Sequence, residues 1–194
     1  MRALVIFGPP AVGKMSVGRE VCRRSELRLF HNHHIIEPLI EVFGYGTRAF
    51  RVLEPEFWRR VFEEAAADDL DLCFTFVWRV TASDDRDYLE RLLAPYAEAD
   101  LCFVELVADL STRLARNATE ERLAHKPSKR DLAWSDGNVR DAEQLQLNTV
   151  PGVDCDARRL LDRGRHLRID NSDLDVETTA AQILSWLDGP AAGG

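Results

Sequence analysis

The chain has 194 residues, 45% of them hydrophobic, a formal net charge of -8 and four cysteines. That length supports one domain with a buried core that needs no disulfide or structural metal, while the acidic balance argues against a broad nucleic-acid surface. No apolar run approaches membrane-spanning length, and Cys22, Cys73, Cys102 and Cys155 form no C-x-x-C pair, so buried reduced thiols in a cytoplasmic protein without a signal peptide are expected.

Ala3-Leu4-Val5-Ile6-Phe7 is continuously apolar, as expected of a central parallel strand covered on both faces. It runs into Gly8-Pro9-Pro10-Ala11-Val12-Gly13-Lys14-Met15-Ser16. Glycines at the first and sixth positions let the backbone wrap closely around a polyphosphate, with N–H groups turned inward and the positive end of the next helix behind them. Lys14 adds a mobile point charge that can follow a phosphoryl group. Strand, loop and helix in this order predict a site for a nucleotide triphosphate built from Gly8, Ala11, Val12, Gly13, Lys14, Met15 and Ser16. The hydroxyl that usually follows the lysine and binds magnesium is replaced by Met15, and Ser16 comes one place later.

Val17, Val21 and Cys22 then recur at helical spacing, a short strand is predicted at Leu27 to His31, and it ends in His31-Asn32-His33-His34. Helical periodicity covers Ile35 to Phe43 and Pro55 to Leu70, with Gly44-Tyr45-Gly46-Thr47 as the link. Strand-like runs at 72–78 and 101–107 flank a helical segment at 84–97, and such alternation implies a mostly parallel sheet. Trp58 and Trp78 read as core or pocket wall. Past Ala108 the chain becomes basic, with Arg113, Arg116, Arg122, Lys126, Lys129 and Arg130. That stretch reads either as a solvated helix face or as a lid carrying positive charge over phosphates. A short helix is expected around Asp141 to Leu147. A last strand at 166–170 leads to a helix capped by Asp175, with Val176, Ala180, Ile183, Leu184 and Leu187 on its buried face.

With these elements in order, the chain resembles the small P-loop kinases, the adenylate-kinase-like and shikimate- or gluconate-kinase-like group, over nearly its full length. The phosphate loop is the specific match, including a lysine followed first by a residue without a hydroxyl and then by a hydroxyl residue. The resemblance implies an α/β P-loop NTPase fold, a five-stranded parallel sheet sandwiched by helices, in one domain over 1–188 with a frayed tail at 189–194. It also implies a substrate-binding helical segment at 33–70, a helical lid at 110–130, and the 169–172 region near the nucleotide base.

Shikimate-kinase-like proteins carry Asp-x-Asp at the end of the second strand, and here both aspartates look replaced by His31 and His33. A neutral imidazole still accepts a hydroxyl proton but is a poorer magnesium partner than a carboxylate. The glycine-rich substrate loop after the third strand is also missing, because Thr75-Phe76-Val77-Trp78-Arg79 stands there, which argues against shikimate as substrate.

The histidines also admit a buried strand-to-helix corner or a transition-metal site of His31, His33 and His34, although neighbouring strand residues point to opposite faces. Arg79 either grips an anionic acceptor or pairs with Asp84 or Asp85. Glu105 lies inside the fourth strand and does not stand where a Walker B acid is expected.

The resulting expectation is an ATP- and Mg2+-dependent phosphotransferase acting on a hydroxyl of a small metabolite. Lys14, Arg116 and Arg122 would stabilise the transferring group, Arg113 would stack on adenine, and His33 or His31 would orient or deprotonate the acceptor. Ser16 would hold phosphate or magnesium, directly or through water. The rival readings are a nucleotide-binding switch or NTPase without a small acceptor, and a nucleic-acid end kinase.

Overall fold

A computed structural model describes residues 1–118 and 132–189, with side chains from 135 onward in the second stretch. Arg122, Lys126, Lys129 and Arg130 of the expected lid, and the tail from 190, lie outside the described residues. Five strands, β1 (Arg2–Phe7), β2 (Arg28–His31), β3 (Leu72–Phe76), β4 (Asp100–Val107) and β5 (Arg165–Asp170), form one sheet in the order β2-β3-β1-β4-β5, every pair parallel.

The described helices are α1 (Lys14–Arg23), α2 (His33–Phe43), α3 (Arg48–Ala67), α4 (Ser83–Leu93), α5 (Leu110–Asn117), α6 (Leu132–Asp141), α7 (Arg158–Leu161) and α8 (Val176–Asp188). The sheet is buried on both sides. Ala3, Val5, Phe7, Phe74 and Phe103 pack against Ile35 of α2, Trp58 and Phe62 of α3, Leu89 of α4 and Leu160 of α7. Leu4, Ile6, Cys73, Val104 and Leu106 pack against Val17 and Val21 of α1 and Ala180, Ile183 and Leu187 of α8. The alternation along β1 thus splits one apolar run between two cores, which is why it shows no polar residue.

The third helix begins at Arg48, ahead of the expected Pro55, and ends at Ala67, short of the expected Leu70, so that Pro55 sits inside it. A proline there removes one helical hydrogen bond and costs about 3 kcal/mol. Burial of Phe50, Trp58, Phe62 and Ala65 on one face, at about 1.5–3 kcal/mol for each large side chain, outweighs that cost. Thr47 caps the helix by accepting from the Phe50 amide at 3.3 Å.

The helix expected at 141–147 is displaced: α6 ends at Asp141 and a single 3-10 turn, Ala142–Gln144, follows. The Asp175 cap forms as expected, accepting from the Thr178 amide at 2.7 Å. All four thiols are free, but only Cys73 and Cys102 are buried. Trp58 and Trp78 are both core residues. Among the described residues no helix is long and apolar enough to cross a membrane.

Candidate active site

Because β1 lies between β3 and β4, the chain leaves β1 first toward one sheet edge and later toward the other. Open parallel sheets bind ligands in the crevice at the carboxyl end of such a strand. The Gly8–Ser16 loop occupies that position.

Gly8 has φ 139° and Gly13 φ 106°, both outside the range comfortable for a side chain. Gly13 is also the residue that opens α1, whose first N–H groups face the loop. Ala11 sits at φ 63°, a left-handed conformation that costs about 1–2 kcal/mol without glycine. Lys14 reaches back over the loop, its Nζ donating to the carbonyls of Gly8 at 2.7 Å and Pro9 at 2.8 Å. An ammonium held over the mouth of such a nest is placed to meet a phosphate oxygen. Met15 is buried, so the usual hydroxyl position belongs to the core, and Ser16 is half-buried beside it.

The loop is braced from outside by residues whose role the sequence reading assigned otherwise or missed. Asn171, just past β5, donates from Nδ2 to the Val12 carbonyl at 3.1 Å. Arg116, expected to cover developing charge on the phosphates, instead donates to the Val12 carbonyl at 3.1 Å and to the Asn171 and Leu174 carbonyls at 2.7 and 3.2 Å. Burial lowers its pKa, partly offset by the Asp109 carboxylate. In this arrangement it is a loop-positioning residue. The 171–174 segment accordingly supports the back of the phosphate loop.

Arg113, expected to stack on adenine, is 2% exposed, with Nε on the Ala108 carbonyl and a terminal nitrogen on Glu143. No open guanidinium face is left for a base there.

At the end of β2 the three histidines separate. His31 is buried and its ring lies against that of His34, with centroids 3.7 Å apart and the planes tilted by 32°, while the His33 ring is 6.2 Å from His31. Burial, then the Arg19 charge, lowers the His34 pKa and favours its neutral form. His33 opens α2, and its Nδ1 lies 2.9 Å from Glu37 Oε1, one helical turn on. The sequence held the signal for this pair, since i,i+4 residues share a helix face, but Glu37 was not singled out.

Register places His31 level with Thr75 and Ile6. With neighbouring strands about 4.8 Å apart, this histidine cluster begins about 10 Å from the phosphate-loop strand. Among the described residues no group of three His, Cys, Asp or Glu could hold a metal ion. The three-histidine metal site that the sequence admitted as an alternative finds no support there.

Arg79 follows the second of the two open alternatives. Its guanidinium donates to Asp85 and Asp84, at 2.5 and 2.8 Å, and its amide donates to Asp85 at 2.9 Å. Those carboxylates, Asp85 first, raise its pKa. The arginine thus pins the turn after β3 to the start of α4.

A second polar centre lies on the other side of β1. Glu105, fully buried in β4, accepts from the Thr149 amide and hydroxyl at 2.7 Å each, from Asn148 Nδ2 at 3.0 Å and faces His166 Nε2 at 3.0 Å. Asn148 also donates to the Leu106 carbonyl at 3.1 Å. The carboxylate ties the 145–150 segment to the sheet directly below the phosphate loop.

Compared with known proteins, no family model and no curated protein matches the chain. Solved structures do. A putative kinase from Chloroflexus aurantiacus superposes at TM-score 0.62 with 16% identity, covering 96% of this chain and 95% of its own. A sugar kinase from Janibacter sp. gives 0.59 and 16%, covering 97% and 95%. The shikimate kinase of Acinetobacter baumannii, in complex with shikimate, gives 0.55 and 16%, covering 96% and 92%. The fold is that of the small P-loop kinases, and the resemblance to the shikimate- and gluconate-kinase type extends over the whole domain.

Proposed function

We propose that this protein is an ATP-dependent phosphotransferase that moves the γ-phosphoryl group to a hydroxyl of a small metabolite. The observation that carries this reading is the His33–Glu37 pair where β2 gives way to α2, at the same carboxyl edge of the sheet as a phosphate loop with its lysine in place. A nucleotide switch needs the loop but has no use for an imidazole oriented by a carboxylate at the end of β2.

Phosphoryl transfer asks the protein mainly for positioning and charge stabilisation. The N–H groups of Val12, Gly13 and Lys14 cradle the phosphates, and Lys14 leaves the Gly8 and Pro9 carbonyls to follow the transferred group. When His33 donates Nδ1–H to Glu37, its Nε2 is left with a lone pair to accept the acceptor's hydroxyl proton. The bond from the γ-phosphorus to the β,γ-bridging oxygen breaks, the acceptor oxygen forms the new bond, and ADP leaves.

Ser16, directly or through water, would hold Mg2+, which would supply neutralisation of the phosphate charge. A donor set this sparse fits magnesium, an ion that keeps several waters and takes most other ligands from the nucleotide.

The test uses ATP labelled at the γ-phosphate with magnesium, a metabolite extract, and Lys14→Ala as control. Label should enter a new small molecule with the wild type alone. His33→Gln should lower kcat about a hundredfold and remove the acid limb of the pH–rate profile, with nucleotide affinity unchanged. Glu37→Gln, which removes the carboxylate that orients the His33 ring, should give a smaller loss of rate. Label appearing only as free phosphate would overturn the reading.

A further inference from the structure

The third helix, α3, carries two apolar stripes. One holds Phe50, Trp58, Phe62 and Ala65 in the core. The other, Leu53 and Phe57 with Val61 beside them, faces outward, and Phe57 is 51% exposed. Of the twelve large hydrophobic side chains exposed among the described residues, seven lie between 42 and 70. A helix on the surface of a globular domain normally turns a polar face to water, so a second apolar stripe signals a second partner.

That stripe borders a groove of about 650 Å³, walled by Leu39 of α2 on one side and by Leu53, Phe57, Val61, Ala65 and Leu70 on the other. The groove runs on to Asp68 and Leu70, just before the amino end of β3. The phosphate loop stands at the opposite, carboxyl edge of the sheet. The stretches outside the described residues, 119–131 and 190–194, hold one large hydrophobic side chain between them, Leu123. One such side chain is too little to cover this floor.

The outer face of α3 is itself complementary to a second copy. Glu56, Arg60 and Glu64 edge the groove. Glu56 and Arg60 are four residues apart and so share one flank of the helix. Two copies of α3, antiparallel about a two-fold axis level with Phe57, bring each Phe57 onto its counterpart and each Leu53 level with the partner's Val61. Arg60 then stands on the same flank as the partner's Glu56 and two residues, about 3 Å, from its level along the axis. The symmetry makes that pair twice. In the single chain Arg60 pairs along its own helix, with Glu63 at 3.4 Å and Glu64 at 2.7 Å, and Glu56 lies 4.0 Å from Arg59. Exposed pairs of this kind contribute little and exchange readily.

We propose that this face is the contact of a symmetric homodimer, with α3 of each copy seated against the groove of the other. Leu53, Phe57 and Val61 form its apolar centre, and two Arg60–Glu56 pairs form its rim. A two-fold contact covers both grooves at once and leaves no surface for further growth. It holds whether or not the protein transfers phosphate.

The test is sedimentation velocity of the full chain over a concentration series. Each copy carries a net charge of -8, so the runs are made at physiological ionic strength, where a screening length of about 8 Å mutes their repulsion. The wild type should pass from monomer to dimer as concentration rises. Phe57→Asp should weaken association about a hundredfold, with the thermal midpoint of the dilute monomer unchanged because that side chain is already in water there. Glu56→Arg and Arg60→Glu should each weaken association about tenfold. Mixed in equal amounts, the two charge variants should associate as tightly as the wild type, since one then opposes two cations to the other's two anions. A wild type that is monomeric at every concentration, whatever else then fills the groove, would overturn the inference. So would a dimer indifferent to Phe57→Asp, or charge variants that associate no better mixed than alone.

Discussion

Replacing Gly8 with alanine is expected to abolish nucleotide binding. A Cβ at this position would lie 2.3 Å from the Leu106 carbonyl oxygen, whereas carbon and oxygen ordinarily approach no closer than about 3.3 Å. One of the two backbones must move by about 1 Å. Leu106 cannot yield cheaply, because it belongs to β4 and its carbonyl also holds Asn148. The displacement therefore falls on the phosphate loop, where a shift of about 1 Å costs on the order of a hundredfold in productive positioning. The φ of 139° adds backbone strain of about 1–3 kcal/mol.

Gly46 supplies the control. It also has a positive φ, 69°, but nothing lies within 4 Å of a Cβ there, so Gly46→Ala should lose only about 1 kcal/mol and bind nucleotide normally. Thermal unfolding and nucleotide titration of both variants separate the two costs. Wild-type nucleotide affinity in Gly8→Ala would mean that the close approach to Leu106 does not shape the loop.

The phosphate loop was legible because its chemistry is local: glycine spacing, lysine and an apolar strand are contiguous in sequence. The five-stranded parallel sheet was anticipated through the family resemblance, but its strand order was not, since strand neighbours are fixed by contacts across the whole chain. Arg113 and Arg116 show the limit of composition. A basic stretch marks charge but says nothing of which acceptors its guanidiniums meet, and here the Val12, Asn171 and Leu174 carbonyls take one while Glu143 takes the other. Those partners lie up to 104 residues away. Arg79 with Asp84 and Asp85 is the reverse case, a pair close enough in sequence to be weighed beforehand. Glu37 was equally near His33, but its meaning depended on where α2 begins. Because His33 itself opens the helix, the i,i+4 spacing puts the carboxylate on the imidazole.

Glu105→Ala should destabilise the fold by about 3–5 kcal/mol, the cost of breaking a buried charged pair by removing one member. Arg168 Nε lies 3.4 Å from the carboxylate and the His166 ring lies against it, and both would lose their acceptor. The Thr149 amide and hydroxyl and one Asn148 donor would be orphaned with them.

Acid should reproduce part of this loss in the wild type. Burial alone would push the Glu105 pKa up, but the hydrogen bonds from His166, Thr149 and Asn148 outweigh it, and the net direction is down from 4.5. A carboxyl with a depressed folded pKa binds protons more readily when unfolded, so its stabilisation is present above pH 4.5 and fades as pH falls through the folded value. Glu105→Gln keeps an acceptor oxygen for the Thr149 amide but carries no charge to titrate, so it should lose less stability than alanine and flatten the acid slope. Denaturant midpoints at pH 7 and through the acid range measure both effects. A loss below about 1 kcal/mol for Glu105→Ala, within the range of an exposed ion pair, would show that the 145–150 segment is held by something other than this carboxylate.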